Sequence, residues 1–301
     1  MIRTSKDERI KFNADYPADT DFSAFARLLQ SKWRDKKGYP QGKLGNYLER
    51  SFAETTKSNF LTVNIRNLVT VEIENIRKNG GLISTPRIWD NMLSSQPLCF
   101  NLFGELCLDL NLATNVFKKL FPDKIEKVNE IKFEFSPGRG DSKYIGDHSA
   151  FDVFIKYSRG NISGFIGMEV KYAESLREET VDKANKNFKE RYENLTIDCG
   201  IFLADSIKYL RKPPLSQIWR DHLLAIATKQ DYDEGFFVFL FPSKNAQCQN
   251  AIDDYSKYLF SKNFETNCFY PMNLEKIIEA ISAKTSAEWI NELKERYLGE
   301  Y

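Results

Sequence analysis

The chain's 301 residues are 42% hydrophobic and 14% aromatic, enough apolar side chain for one large core and too much for a disordered protein. Its 43 Lys and Arg nearly cancel its 42 Asp and Glu, which excludes an acidic tail or a histone-like polycation, so affinity for a polyanion has to come from charge placement. The longest apolar run, residues 236–241, is far short of the roughly 18 residues a membrane helix needs.

The first eight residues carry charges where a secretory signal would carry its apolar core, which predicts a cytoplasmic protein. Residues from about 21 to 79 read as helical. Phe22, Phe25, Ala26 and Leu29 share one helical face, and residues 61–78 contain no Gly or Pro, although the β-branched residues Thr62, Val63 and those at 69–73 favour a helix less. Between the two helices lies the most basic segment, with Arg27, Lys32, Arg34, Lys36, Lys37, Lys43 and Arg50 set against Asp35 and Glu49. It reads first as charged surface. Trp33 and Tyr39 interleaved with the cations make a DNA-backbone contact the second reading.

A short helix is predicted after Pro86, and a longer one after Ser94-Ser95-Gln96-Pro97, where polar caps precede a Pro suited to a first helical turn. The body of the second, residues 98–112, is apolar nearly all round and should be buried, with Glu105 as a carboxylate inside it. The period then drops to two. Residues 131–135 alternate as a strand and stop at Ser136-Pro137-Gly138; residues 151–157 and 162–172 follow as two more strands around a tight turn at Ser158-Arg159-Gly160-Asn161. Beyond this meander the pattern gives a polar helix at about 175 to 194 and a short buried strand at 200–204. An amphipathic helix from Pro213-Pro214 to Thr228, the strand 236–241, and helices at about 244 to 261 and 273 to 298 complete the chain.

This order predicts an α/β fold, a sheet with helices on both faces. No linker separates two independent domains. We expect a helical N-terminal extension over residues 1–84, a core over 85–245 with an insertion at about 175 to 211, and C-terminal helices over 246–301 packed on that core.

The five cysteines form no CxxC pair and are expected to be reduced core residues. Only two histidines exist, His148 and His222, so HExxH hydrolases and histidine-rich metal sites are excluded and carboxylates with lysine must carry any hydrolysis. The third strand is apolar on both faces until Glu169 and Lys171, which share one face at its end. A strand covered on both sides puts those charges in a cleft, where their burial has to be offset by a metal or an anionic substrate. Sixteen residues separate Asp152 from Glu169; in an antiparallel hairpin closed at Gly160-Asn161, that spacing sets the two opposite each other. Two hard oxygen anions suit Mg²⁺, and Lys171 beside them would orient or deprotonate a water. On the helix after Pro214, Gln217 and Arg220 share a face and His222 follows two residues later; this reads as a phosphate grip or a solvated face. Asp147 and His148, in the loop before the second strand, read as a turn or as a DNA contact.

Asp152 followed by Glu169-Val170-Lys171 resembles the PD-(D/E)XK nuclease superfamily, the fold of many restriction endonucleases. The wider segments Ser94 through Gly104, Gly146-Asp147-His148-Ser149-Ala150-Phe151-Asp152, Gly167 through Tyr172, and Gln217 through Leu224 are similar to a little-characterised bacterial branch of it. The likeness covers most of residues 85 to 245. It implies a restriction-endonuclease-like core with a mixed central sheet, Mg²⁺ as cofactor with Mn²⁺ substituting, and endonucleolytic hydrolysis of DNA, double-stranded in the first instance. A role in restriction or phage defence and a homodimer go with it. The resemblance further implies Asp152 and Glu169 as metal ligands, the Val170 carbonyl as a third, Lys171 as the catalytic lysine, and Glu105 as the acid of the first core helix. Phe151 stands where the family motif has its Pro. The alternatives are an inactive nucleic-acid-binding or interaction protein on this scaffold, and a structure-specific repair nuclease or an RNA nuclease.

Overall fold

The computed structural model describes residues 4–174, 176 and 189–299. Among these, the helices α1 (Lys6–Lys11), α2 (Asp21–Lys36), α3 (Arg50–Thr56), α4 (Val63–Lys78), α5 (Arg87–Asp90), α6 (Ser95–Leu108) and α7 (Leu110–Leu120) precede the meander β1 (Lys127–Phe135), β2 (Phe151–Arg159) and β3 (Ile162–Val170). Then come α8 (Glu190–Asp198), α9 (Ile207–Leu210), α10 (Leu215–Thr228), β4 (Glu234–Phe241), α11 (Ala246–Ser256), α12 (Phe264–Asn267), β5 (Phe269–Asn273), α13 (Leu274–Ser282) and α14 (Glu288–Leu298). No described helix is long and apolar enough to cross a membrane.

The strands form one mixed sheet in sequence order, antiparallel from β1 to β3 and parallel from β3 to β5. The hairpin closes as predicted: Arg159 pairs with Ile162 and Val153 with Met168. Alternation along β3 divides the core in two. Ile166, Met168 and Val170 join the cluster made with α2, α4, α6, α7, α13 and α14, whereas Phe165 faces the cluster made with α10 and α11. Gly167 lies on that second face because the Phe151 ring crosses it; a Cβ there would stand 2.3 Å from the ring. The residue that departs from the family motif is thus bedded over β3, one residue from Asp152.

Several expectations are corrected. The apolar helix 98–112 breaks at Asp109, whose backbone leaves the helical region and whose side chain accepts from the N–H groups of Asn111 and Leu112 and starts α7. The strand at 200–204 is a single bridge from Phe202 to Leu259, with Leu203 42% exposed. The predicted helix 273–298 is two helices, α13 and α14. Before them runs β5, a strand absent from the sequence reading, which as an edge strand tolerates Pro271. Most of the polar helix expected at 175–194 lies outside the described residues.

The N-terminal helices share the core. Phe22, Ala26, Phe60, Ile65 and Val69 belong to the same cluster as β3 and as Ile277 and Tyr297. The basic segment is tied up internally: Arg27 binds Asp19 and Asn46, Lys36 pairs with Glu295 at 2.6 Å, Lys37 with Glu292 at 2.7 Å, and Arg50 with Asp90. Lys36 and Lys37 thus fasten α2 to α14, and Arg27 and Arg50 brace the loops near it, which favours the first of the two readings.

Candidate active site

β3 emerges from the core at Glu169, which is 6% exposed. Its Oε1 lies 2.7 Å from Lys171 Nζ and accepts from Gln217 Nε2 at 2.6 Å, so the two ends of the Glu-x-Lys motif and the first turn of α10 meet at one oxygen. Asp152, at the start of β2, accepts the Val170 N–H through Oδ2 at 2.8 Å. Antiparallel pairing of β2 with β3 makes that contact possible. All four side chains line a cleft of about 460 Å³, walled on its far side by Arg87, Ser94, Ser95, Gln96 and Glu174. Glu174 accepts from the Ser95 N–H at 2.5 Å and the Tyr172 N–H at 3.1 Å, and pairs with Arg87 at 3.3 Å. A carboxylate there offsets the positive end of α6 and pins it to the end of β3.

The cleft holds more negative charge than its surroundings neutralise. Desolvation, then Glu169 and Glu134, hold the Asp152 carboxyl well above the usual range, against Lys171 and the Val170 N–H. Burial, then Glu169, does the same to Asp221, one helical turn beyond Gln217, and its Oδ2 has no hydrogen-bond partner among the described residues. Glu134 on β1 is pushed up to about 7 by burial and then by Glu169, opposed by Arg139 and the Leu82 N–H. For Lys171, burial opposes the charge but Glu169 and Asp152 outweigh it, so the ammonium is stabilised. Carboxylates crowded this way are stabilised by a cation.

The donor chemistry fits a divalent ion. Asp152 and Glu169 are hard oxygen donors, and a Mg²⁺ ion binds through one or two carboxylates while keeping waters. Among the described residues, no three His, Cys, Asp or Glu side chains converge closely enough to hold an ion by themselves. An ion held by these two carboxylates would need water or substrate to complete its shell. The positive charge of Lys171 beside it suits a phosphate.

Other predicted residues lie elsewhere. Glu105 is on the last turn of α6, whose first turn lines the cleft; its carboxylate is taken by Thr62 Oγ1 at 2.5 Å and Asn64 Nδ2 at 3.4 Å. Ten residues of helix separate it from Ser95, about 15 Å of rise, so the structure does not bring it to Asp152. His222 is fully buried, its ring nitrogens 2.8 Å from the Tyr255 hydroxyl and the Asn267 carbonyl; burial pushes its pKa down to about 3. It is a core residue. Arg220 is half-buried and faces the charge of Asp221. Asp147 accepts from the Ser149 N–H and hydroxyl and from the Tyr192 hydroxyl, bracing its own loop. His148 is exposed, with its carbonyl accepting from Arg139. None of these five lines the cleft. Val170 lies between Glu169 and Lys171 with its side chain in the core.

Sequence reasoning passed over Glu134, Asp221, Glu174 and Arg87. For Asp221 the signal was its position four residues after Gln217; for Glu134 it was the charge between Phe133 and Phe135 on the first strand.

A family model for the PD-(D/E)XK nuclease superfamily matches residues 17–299, and so takes in the N-terminal helices that the sequence resemblance left aside. No curated protein and no solved structure matches the chain.

Proposed function

The chain belongs to the PD-(D/E)XK nuclease superfamily, and from that premise we propose that it is a divalent-metal-dependent endonuclease cutting phosphodiester bonds of double-stranded DNA. The observation that carries this reading is the meeting of Lys171 and Gln217 on Glu169 Oε1, beside Asp152, in a cleft open to a polymer.

Asp152 and Glu169 would hold the ion, Mg²⁺ with Mn²⁺ in its place. Such an ion supplies charge neutralisation at the phosphate and a more acidic water. Gln217 fixes the orientation of Glu169 by donating to Oε1. Lys171, kept charged by Glu169 and Asp152, presents its ammonium to the attacking water and to the negative charge that builds on the phosphorus oxygens. Arg87, on the opposite wall, stands where a neighbouring phosphate of the same strand would pass. Cutting both strands of a duplex calls for two such sites, which a homodimer would supply.

The test is cleavage of supercoiled plasmid, linear duplex, single-stranded DNA and RNA with Mg²⁺, Mn²⁺ or EDTA, beside Glu169→Ala. The expected result is metal-dependent cutting of duplex by the wild type alone. Discrete bands would mark restriction-type specificity, as a role in restriction or phage defence requires; a smear would mark non-specific cutting. Cleavage of RNA or single strands in preference to duplex would overturn the substrate assignment. Tight DNA binding without cleavage in any metal would overturn the enzyme in favour of an inactive binder.

A further inference from the structure

The register of the meander brings a third acid to the level of Asp152 and Glu169. On β1, Phe133 pairs with Val153 and Phe135 with Phe151, so Glu134 stands opposite Asp152. On the other side of β2, Val153 pairs with Met168, so Asp152 stands opposite Glu169. Three carboxyl residues therefore cross three adjacent strands in one row, with neighbouring strands about 4.8 Å apart.

Glu134 is also out of the ordinary for a strand residue. Its φ of 49° lies in the left-handed region, which is strained for a non-glycine residue. The strand turns over there: Phe133 joins the cluster on one face of the sheet, and Phe135 packs against the cluster on the other. The half-buried carboxylate faces the Leu82 N–H and Arg139, and its charge is felt at Asp152. Leu82 lines the cleft of the candidate site, while Glu134 lines the adjoining cleft with Asn79 and Arg139. Glu134 thus stands in the wall between the two.

Resting on the metal-dependent reading above, we propose that Glu134 is a positioning acid for the divalent cation, acting on the ion's water shell from β1 in the place where the family pattern pointed to Glu105. It is not a third direct ligand, since no three such side chains converge among the described residues. A Mg²⁺-type ion keeps several waters, and outer partners of this kind change metal affinity by about 10- to 100-fold. Glu105, occupied by Thr62 and Asn64, has no part in it.

The test is calorimetric titration of the full chain with Mn²⁺, comparing wild type with Glu134→Gln, Glu134→Gly, Glu105→Gln and Asp152→Asn. Both Glu134 variants are expected to bind Mn²⁺ at least about tenfold more weakly, and Glu105→Gln as the wild type does. Glu134→Gly removes the carboxylate while suiting the left-handed backbone, so its metal-free melting temperature should equal or exceed the wild type's and its loss of affinity is not a folding defect. Wild-type affinity in both Glu134 variants overturns this inference and leaves the metal site standing. A wild type that binds no Mn²⁺, or an Asp152→Asn that binds it equally well, overturns the metal reading and this inference with it.

Discussion

Arg296 and Asp221 are both buried charges, 0% and 6% exposed, and the protein treats them in opposite ways. Around Arg296, Nε donates to Gln30 Oε1 at 2.9 Å, Nη1 to the Asn59 carbonyl at 2.7 Å and Nη2 to Asn59 Oδ1 at 2.5 Å, with the Trp33 ring 4.6 Å from the guanidinium carbon. Neutral acceptors and a π face meet the guanidinium, which holds α2 and α14 in one core. At Asp221, burial and then Glu169 raise the pKa against the opposing charges of Arg220 and Lys171, and Oδ2 has no hydrogen-bond partner among the described residues. A buried charge that the fold satisfies by itself belongs to the scaffold. One that the fold leaves crowded is destabilising until something from outside neutralises it, and such places are where sites form.

That contrast can be broken in several ways. The largest effect is expected from Asp152→Ala, Glu169→Ala and Lys171→Ala: each should lower metal-dependent cleavage by at least about a thousandfold, roughly 4 kcal/mol of barrier, with circular dichroism and melting showing a folded chain. Next comes the scaffold charge. Arg296→Met takes the donor from Gln30 Oε1 and Asn59 Oδ1, at about 1–3 kcal/mol each, while the Asn59 carbonyl keeps the Asn101 amide, so the urea midpoint should fall while Mn²⁺ affinity in the folded protein stays that of the wild type.

Buried His222 gives a pH signature away from the site. Its folded pKa, about 3, lies below the ordinary value of about 6.5, so the unfolded chain binds the extra proton first. The stability it contributes is complete above pH 6.5 and is lost as pH falls towards 3, on the order of 5 kcal/mol in all. Urea midpoints at neutral pH and near pH 4.5 should differ less in His222→Gln than in the wild type. The smallest effect is on the site's own strain. A carboxyl whose folded pKa is raised weighs against the fold as pH climbs above its unfolded value. Asp221→Asn should therefore raise the metal-free melting temperature at neutral pH, by about 2 °C for each kcal/mol relieved; a drop would show that Asp221 is structural.

The parts of the fold that could be read in the sequence are those set by short-range pattern. Alternation marked the meander, and the turn at Gly160 fixed a register that puts Asp152 against the Val170 N–H. β5 escaped because five residues with Pro271 in the middle carry no alternation to read, and the chain's halt at Asp109 escaped because a single cap interrupts an otherwise continuous apolar run. In the site, Asp152 and Glu169 were legible because the hairpin register pairs them, whereas Glu134 escaped because its strand turns over at a left-handed residue. On helices the outcome rests on neighbours distant in sequence: Gln217 and His222 are five residues apart on α10, yet one reaches Glu169 and the other is enclosed by Tyr255 and Asn267. Glu105 failed for the same reason, since the way α6 is laid down decides which end meets the cleft. The basic segment was legible as charge but not as structure, because Lys36 and Lys37 find their acids on α14 at the far end of the chain.

The account turns on whether the crowded acids are an ion site. The most direct measurement is thermal melting of the wild type and Asp152→Asn, each with EDTA and with Mn²⁺ at about a hundred times its dissociation constant, where a single site adds about 2.7 kcal/mol. The expected result is that Mn²⁺ raises the wild-type melting temperature by roughly 5 °C, that it leaves the variant where it was, and that the variant is the more stable of the two in EDTA. Equal shifts in both proteins, or none in the wild type, would contradict it.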